Sequence, residues 1–245
     1  MTEFGQTPGP ATVPSGRTVL ARVRTSTGEW RLQRRDAHYE IICNGVFLMA
    51  SYNRTSDRSL ATVPLARVQG EGLRVLVGGL GIGFTAQAVL EDTRVAALEV
   101  VEIEPTVVAW HRMYFASLCA QPLDDPRTAL VHADLAHLRL AARAYDAILL
   151  DTDNGPDWLI RETNARLYTR EAAERFYAAL RPGGVLAYWS ASLSASLSSA
   201  LSSGGQAAEV VATEDEISPG RPSTAWLYLA TAVGATGRAG PSGSI

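Results

Sequence analysis

The chain contains no lysine; all 22 of its basic residues are arginine. That excludes a lysine Schiff base and a Walker-type phosphate lysine. Cysteine is nearly absent too: Cys43 and Cys119 stand far apart, outside any CxxC or Cys/His cluster. This argues against a disulfide framework or a structural zinc and predicts two buried thiols and no metal site. No apolar run is long enough to span a bilayer, and no positively charged segment precedes an apolar one, so neither membrane association nor a leader is expected and the chain reads as cytoplasmic. Positive charge is not in excess either. A net charge of −3 and a pI near 5.8 offer no basic field for nucleic acid.

What remains is a chain of 245 residues, 47% apolar and 19% charged, the composition of a globular protein with one large core. Residues 1–16 and 234–245 are rich in Gly, Pro, Ser and Thr without apolar periodicity, and read as disordered tails. Residues 17–68 alternate apolar and polar with period two, and "NG" at 44 and 45 separates two apolar runs, which predicts a small N-terminal antiparallel β-domain. From 69 to 233 strand and helix patterns alternate: "RVLVGGLG" before "FTAQAVLED", "VAALEVVEIE" before "PTVVAWHRMYFASL", "TALVHAD" before "LAHLRLAA", "YDAILLDTD" before "TREAAERFYAALRPGG", and "VLAYWSAS" before "SASLSSALSS". "AAEVVATEDE" and "TAWLYLATAV" follow with no helix between them and should close the sheet as a hairpin. Continuous apolar strands separated by helices predict an α/β, Rossmann-like domain: a mostly parallel seven-stranded sheet with helices on both faces.

In such a sheet ligands collect beyond the carboxyl ends of the strands. Gly79, Gly81 and Gly83 end the first strand, where a glycine turn lets backbone approach a ligand. Position 84 is Phe where a dinucleotide fingerprint wants glycine, so a nucleoside without pyrophosphate is favoured over NAD. Glu102, with Ile103 beside it, ends the second strand and suits the two hydroxyls of a ribose. Asp134 ends the third and suits an adenine amine. Asp151, Asp153 and Asn154 end the fourth, followed by a Gly155-Pro156 turn and Trp158. An incoming amine can be held by Asp153 and Asn154, and an acid desolvated beside Trp158 can serve as its base. The plainer reading is an Asx turn that starts the connection to the next helix. Tyr39 and Trp189 are placed to touch a substrate, although both positions also suit a core aromatic. His111 and His132 lie beside apolar positions, where structural roles are commoner. Leu193, Leu197 and Leu201 make one narrow helical stripe.

The succession "GLGIG", "VVEIEP", "DPR" at 125–127, "HAD", "YDAILLD", "LY" at 167 and 168, and "LRPGGVLAYWS" resembles class I S-adenosylmethionine-dependent transferases, specifically the spermidine/spermine synthase branch, over about residues 17–230. The resemblance implies that Gly79, Gly81 and Gly83 line S-adenosylmethionine or its decarboxylated form, that Glu102 holds the ribose and Asp134 the adenine, that Asp151 lies beside the sulfonium, and that the enzyme is a homodimer. Three departures are visible. The "GGGDGG" loop of polyamine synthases reads "GGLGIG" here, their "YHE" is missing, and their "DSSD" becomes Asp151-Thr152-Asp153-Asn154. The expected function is therefore alkylation of a small-molecule amine with methyl transfer favoured. Aminopropyl or 3-amino-3-carboxypropyl transfer, releasing methylthioadenosine, is the alternative, and a nucleoside-binding protein without catalysis the second.

Overall fold

The computed structural model describes residues 16–202 and 207–232, so the stretches read as tails lie outside the described residues apart from Gly16. Four antiparallel strands open the fold in the order β1-β2-β3-β4: β1 (Arg17–Thr25), β2 (Gly28–Arg35), β3 (His38–Cys43) and β4 (Val46–Ala50). Asn44 and Gly45 take φ of 51° and 80° between the facing residues Cys43 and Val46. Two left-handed residues in a two-residue loop are what a tight hairpin requires.

The period-two reading fails after Ala50. Residues Arg54–Leu65 form helix α1, whose buried positions Ser56, Asp57, Leu60, Ala61, Pro64 and Leu65 recur every four residues. The first buried pair is polar and the helix carries an internal Pro64, so the apolar signal of a helix was diluted below the alternation around it. This helix packs on α2 (Phe84–Glu91) and on strands of the second sheet.

The second sheet has seven strands in the order β10-β11-β9-β8-β5-β6-β7. They are β5 (Leu73–Gly78), β6 (Val95–Glu102), β7 (Thr128–His132), β8 (Tyr145–Leu150), β9 (Leu180–Ser190), β10 (Glu209–Ser218) and β11 (Arg221–Thr231). Strands β5 to β9 pair in parallel, and β11 runs antiparallel to β9 and to β10, as the terminal hairpin reading anticipates. The remaining helices are α3 (Pro105–Tyr114), α4 (Ala116–Cys119), α5 (Arg170–Ala179) and α6 (Ala195–Leu201).

Two further expectations are corrected. "LAHLRLAA" after β7 makes a single turn instead of a helix, because its carbonyls are used elsewhere: Arg175 donates to the carbonyls of Leu135 and Ala136 at 2.9 and 2.7 Å. "LRPGG" belongs to β9 rather than to the helix before it, since Leu180 pairs with Tyr145. In α6, Leu197 and Leu201 are buried while Leu193 is 61% exposed just before it, so the stripe is two residues long. Both cysteines are free and buried.

One apolar cluster runs from Trp30, Leu32 and Ile41 of the small sheet through Leu60 and Leu65 to Val75 and Val77 of the large one. The small sheet thus packs over the carboxyl ends of β5 and β8, where the strand order reverses and a crevice must open. No helix among the described residues is long and apolar enough to cross a membrane.

Candidate active site

A cavity of about 420 Å³ occupies that crevice. Its floor begins with the turn after β5. Gly79 has φ 94°, and a Cβ there would fall 2.0 Å from the carbonyl oxygen of Asp151, so backbone packs on backbone where no side chain fits. Gly81 sits under Met49 of β4, whose terminal carbon a Cβ would meet at 2.4 Å. Both glycines line the cavity. Gly83 instead begins α2 and packs against the His111 ring.

Glu102 lines the cavity and is held in place by main chain: its carboxylate accepts from the N–H of Leu80 at 2.9 Å and of Glu104 at 2.8 Å. Burial raises its pKa, with these N–H groups opposing. Each oxygen keeps a lone pair for a further donor. Ile103 and Asp134 line the same end; Asp134 accepts from the Ala136 N–H at 2.8 Å. The backbone here is locked by Glu104, which caps α3 through the Thr106 N–H and accepts from Thr25 at 2.9 Å and from Thr27. Burial pushes the Glu104 carboxyl up, but the hydroxyl and amide donors outweigh it and hold it low.

Beyond β8, Asp151, Asp153 and Asn154 all reach the cavity but are held differently. Among the described residues Asp151 accepts a single long bond, from Thr85 Oγ1 at 3.3 Å. Burial pushes its carboxyl up to about 6; the Thr85 hydroxyl opposes, and the charges of Asp215 and Glu102 add to the rise. Asp153 is occupied. Oδ1 accepts from the N–H of Asn154 and Ile160 at 2.9 and 2.8 Å, and Oδ2 from Asn164 Nδ2 at 2.9 Å and the Arg161 N–H at 3.4 Å. Four donors from one loop make Asp153 the organiser of residues 154–164 rather than a free base. Asn154 donates from Nδ2 to the Phe47 carbonyl at 3.0 Å, and Gly155, at φ 107°, lets the loop lie on Ser190 at the end of β9.

Trp158 stands at the mouth, 52% exposed, and Trp189 lines the wall with its indole N–H buried and without a partner among the described residues. Tyr39 lies outside the lining and packs edge-on against Phe115, with ring centroids 5.4 Å apart. Both flagged histidines bond main chain: His111 Nδ1 to the Ile82 carbonyl at 2.9 Å and His132 Nε2 to that of Ile103 at 2.9 Å.

Asn53, Asp57, Arg161 and Asp215 also line the cavity, and sequence reading passed over all four. The available signal was the acid in "TSDRSL", which would have fallen on the buried face of a helix had that helix been recognised.

A doubly wound sheet with a glycine turn, an acid at the end of each neighbouring strand and a roofed crevice at the switch point defines an α/β protein of the Rossmann-like class, in which ligands bind at that crevice. Comparison with known proteins refines this. Residues 55–217 match the spermine/spermidine synthase domain, and the chain belongs to that family. Over 128 residues, 51% of this chain, it is 36% identical to putrescine N-methyltransferase 2 of Nicotiana tabacum, and the match covers 34% of that relative. It is 29% identical over 152 residues to polyamine aminopropyltransferase 2 of Pseudomonas aeruginosa, covering 60% of this chain and 42% of the relative. The chain thus spans less than half the length of these curated relatives. Spermidine synthase in complex with the transition-state analogue AdoDATO superposes with a TM-score of 0.76 over 87% of this chain and 73% of that one at 20% identity, a likeness of fold.

Proposed function

We propose that the chain binds S-adenosylmethionine in this cavity and directs its methyl group to a primary amine of a small molecule. The observation that carries methyl transfer over chain transfer is the glycine turn: the residues flanking Gly81 are Leu80 and Ile82, 5% and 1% exposed within the core, so the turn offers no acid to an aminopropyl ammonium. The tobacco relatives, named putrescine N-methyltransferases, support the same choice.

The residues present fit a sulfonium nucleoside. Gly79 and Gly81 bring bare main chain to the cavity wall, and Glu102 has two lone pairs for ribose hydroxyls. Ile103 and Asp134 suit the face and amine of adenine, and the unpartnered Trp189 N–H waits for an acceptor. Bound S-adenosylmethionine supplies an electrophilic carbon; the protein must place a neutral amine in line with it and exclude water. Asp151, its carboxyl raised to about 6, would take the proton of the attacking amine near neutrality. Asp153 positions the loop that carries Asn154 and Trp158 toward that amine.

Aminopropyl transfer is the second reading, supported by the Pseudomonas relative's name and by Asp57, Asp151 and Asp215, acids that line the same cavity. In either reading residues 17–68 roof a nucleoside-binding unit of residues 69–233. The protein works in the cytoplasm as a homodimer that touches neither nucleic acid nor membrane. The edge of β1, unpaired among the described residues and with Val19 and Val23 exposed, supports pairing, and sedimentation tests it. The deciding experiment incubates the protein with putrescine and either S-adenosylmethionine or its decarboxylated form. S-adenosylhomocysteine as product supports methyl transfer, methylthioadenosine supports chain transfer, and absence of both overturns an enzymatic reading.

A further inference from the structure

Among the described residues a single basic side chain lines the cavity, that of Arg161, against seven acids. It is half-buried, yet no carboxylate stands within ion-pair distance of its guanidinium and no hydrogen bond leaves it among the described residues. Arginines elsewhere that meet an acid are paired: Arg58 with Glu91, Arg94 with Asp92, Arg127 with Asp125. Asp153, whose loop Arg161 shares, is already filled, with Oδ2 taking the Asn164 amide at 2.9 Å and the main-chain N–H of Arg161 at 3.4 Å. The Arg161 carbonyl accepts from the Asn164 N–H at 2.9 Å, so the backbone is fixed on both sides while the charged head has no partner. The head also turns inward. Burial raises the Cys43 thiol, at the end of β3 in the roof, to about 11, and the charge of Arg161 is the largest influence opposing it.

A guanidinium cannot shed its charge and can only donate, and its planar fork matches the two oxygens of a carboxylate. The indole N–H of Trp189, buried in the same wall without a partner among the described residues, is likewise a donor only. Two donors cannot satisfy one another, so the cavity calls for a ligand that brings an oxygen acceptor. Seven acids repel a ligand of net negative charge such as a phosphate. A carboxylate borne by an amino-acid group carries no net charge and escapes that repulsion.

Resting on the proposed reading of this cleft, we infer that Arg161 anchors a subsite for the carboxylate of an amino-acid group in the bound reactants. The group has two sources: the amino-acid end of the sulfonium donor, or an acceptor amine that is itself an amino acid. Either way the cleft selects for a carboxylate that a polyamine and a decarboxylated donor lack.

The test is calorimetric titration of the full chain and of its Arg161→Gln variant with pairs of probes that differ by one carboxylate. S-adenosylhomocysteine and its decarboxylated form probe the donor end. Ornithine and putrescine, each added to protein saturated with S-adenosylhomocysteine, probe the acceptor end, and methylthioadenosine, without any amino-acid end, is the control. Because the guanidinium has no protein partner among the described residues, Arg161→Gln should melt within about 2 °C of wild type. It is expected to leave methylthioadenosine affinity within about twofold and to weaken at least one carboxylate probe by about tenfold or more, while that probe's decarboxylated counterpart is unchanged. A loss at S-adenosylhomocysteine assigns the subsite to the donor, and a loss at ornithine alone assigns it to the acceptor. Arg161→Met, which removes the charge and keeps the apolar stem, must give the same pattern. The inference falls if each carboxylate probe loses no more than its counterpart does, whether all probes hold or all weaken together. If no nucleoside binds wild type while ornithine, titrated alone, binds it and is weakened by Arg161→Gln more than putrescine is, the subsite stands and the nucleoside reading falls. If no probe binds wild type, both fall.

Discussion

Asn154, in the loop after β8, donates from Nδ2 to the carbonyl of Phe47 in β4, 3.0 Å away, and so joins the floor of the cavity to its roof. Asn154→Ala strips that carbonyl of its donor and should cost about 1–3 kcal/mol, read as a melting temperature lower by about 2–4 °C per kcal/mol. Asn154→Asp should cost more, because a carboxylate would then face a carbonyl. Thermal unfolding followed by circular dichroism decides; two unchanged transitions would mean that the roof is held elsewhere.

Asp153 gathers four donors from its own loop, so its removal should loosen residues 154–161 before it unfolds anything else. Asp153→Ala is expected to speed amide exchange of those residues at least about tenfold while the β5 and β8 amides keep their protection. Turnover should fall in step with the loss of loop order. Unchanged exchange with lost turnover would return Asp153 to the role of base.

The large sheet was legible because its parallel strands are buried on both faces and read as unbroken apolar runs, "RVLVGG" and "YDAILL" among them. The strand ends were legible for the same reason: once the runs are placed, Gly79, Glu102, Asp134 and Asp151 fall into register, and all four line one cavity. What stayed hidden was polarity buried for use. Ser56 and Asp57 sit where a core helix would carry Leu or Ala, which erased the helical stripe of α1 and with it two wall residues, Asn53 and Asp57. Asp215 was invisible because its burial comes from Asn53, a residue 162 positions away, and no local pattern reports that. Tyr39 fits its alternation whether it points at ligand or core, and only the tertiary contact with Phe115 chooses.

The raised carboxyls set a pH dependence whose sign can be worked out. Asp151, at about 6 in the folded protein, starts from an unfolded value near 4. A group with a raised folded pKa contributes stability that is complete below the unfolded value and is lost as pH rises through the folded one. Asp57, Asp215 and Glu102, also raised and chiefly by burial, act in the same direction. Carboxyls lowered by arginine partners, Asp92 and Asp125, act oppositely but only as the medium becomes more acid than their unfolded values. His111, lowered by burial, acts oppositely within this range, losing stability as pH falls below its unfolded value, but it is one group against four. Unliganded protein should therefore melt higher at pH 5 than at pH 7, measured by scanning calorimetry at fixed ionic strength. A melting point that climbs steadily from 5 to 7 would contradict the arrangement of these acids.

The two cavity glycines should respond differently to a methyl group. At Gly79 the added carbon meets main-chain oxygen at 2.0 Å, so Gly79→Ala should lose several kcal/mol, enough to abolish a cooperative transition near 37 °C. At Gly81 it meets the flexible end of Met49, which can swing aside. Gly81→Ala should stay folded and lose nucleoside affinity by about tenfold, a contrast that paired melting and calorimetric titrations check.

The bond between Asn53 and Asp215 joins the start of α1 to β10, the edge strand of the large sheet. During synthesis the roof, the glycine turn and the parallel strands leave the ribosome first, and at about 5–20 residues per second the Asp215 segment follows several seconds later. Closing so long a loop costs entropy that only the final contacts repay, which makes this corner of the molecule the last to assemble. Asp57, Asp151 and Asp215, whose charges raise one another's carboxyls, are therefore brought together only after the rest of the fold is in place to hold them. A nascent chain is spared their repulsion, and a chain that has lost its last hairpin would keep a glycine turn and a roof but no enclosed cleft.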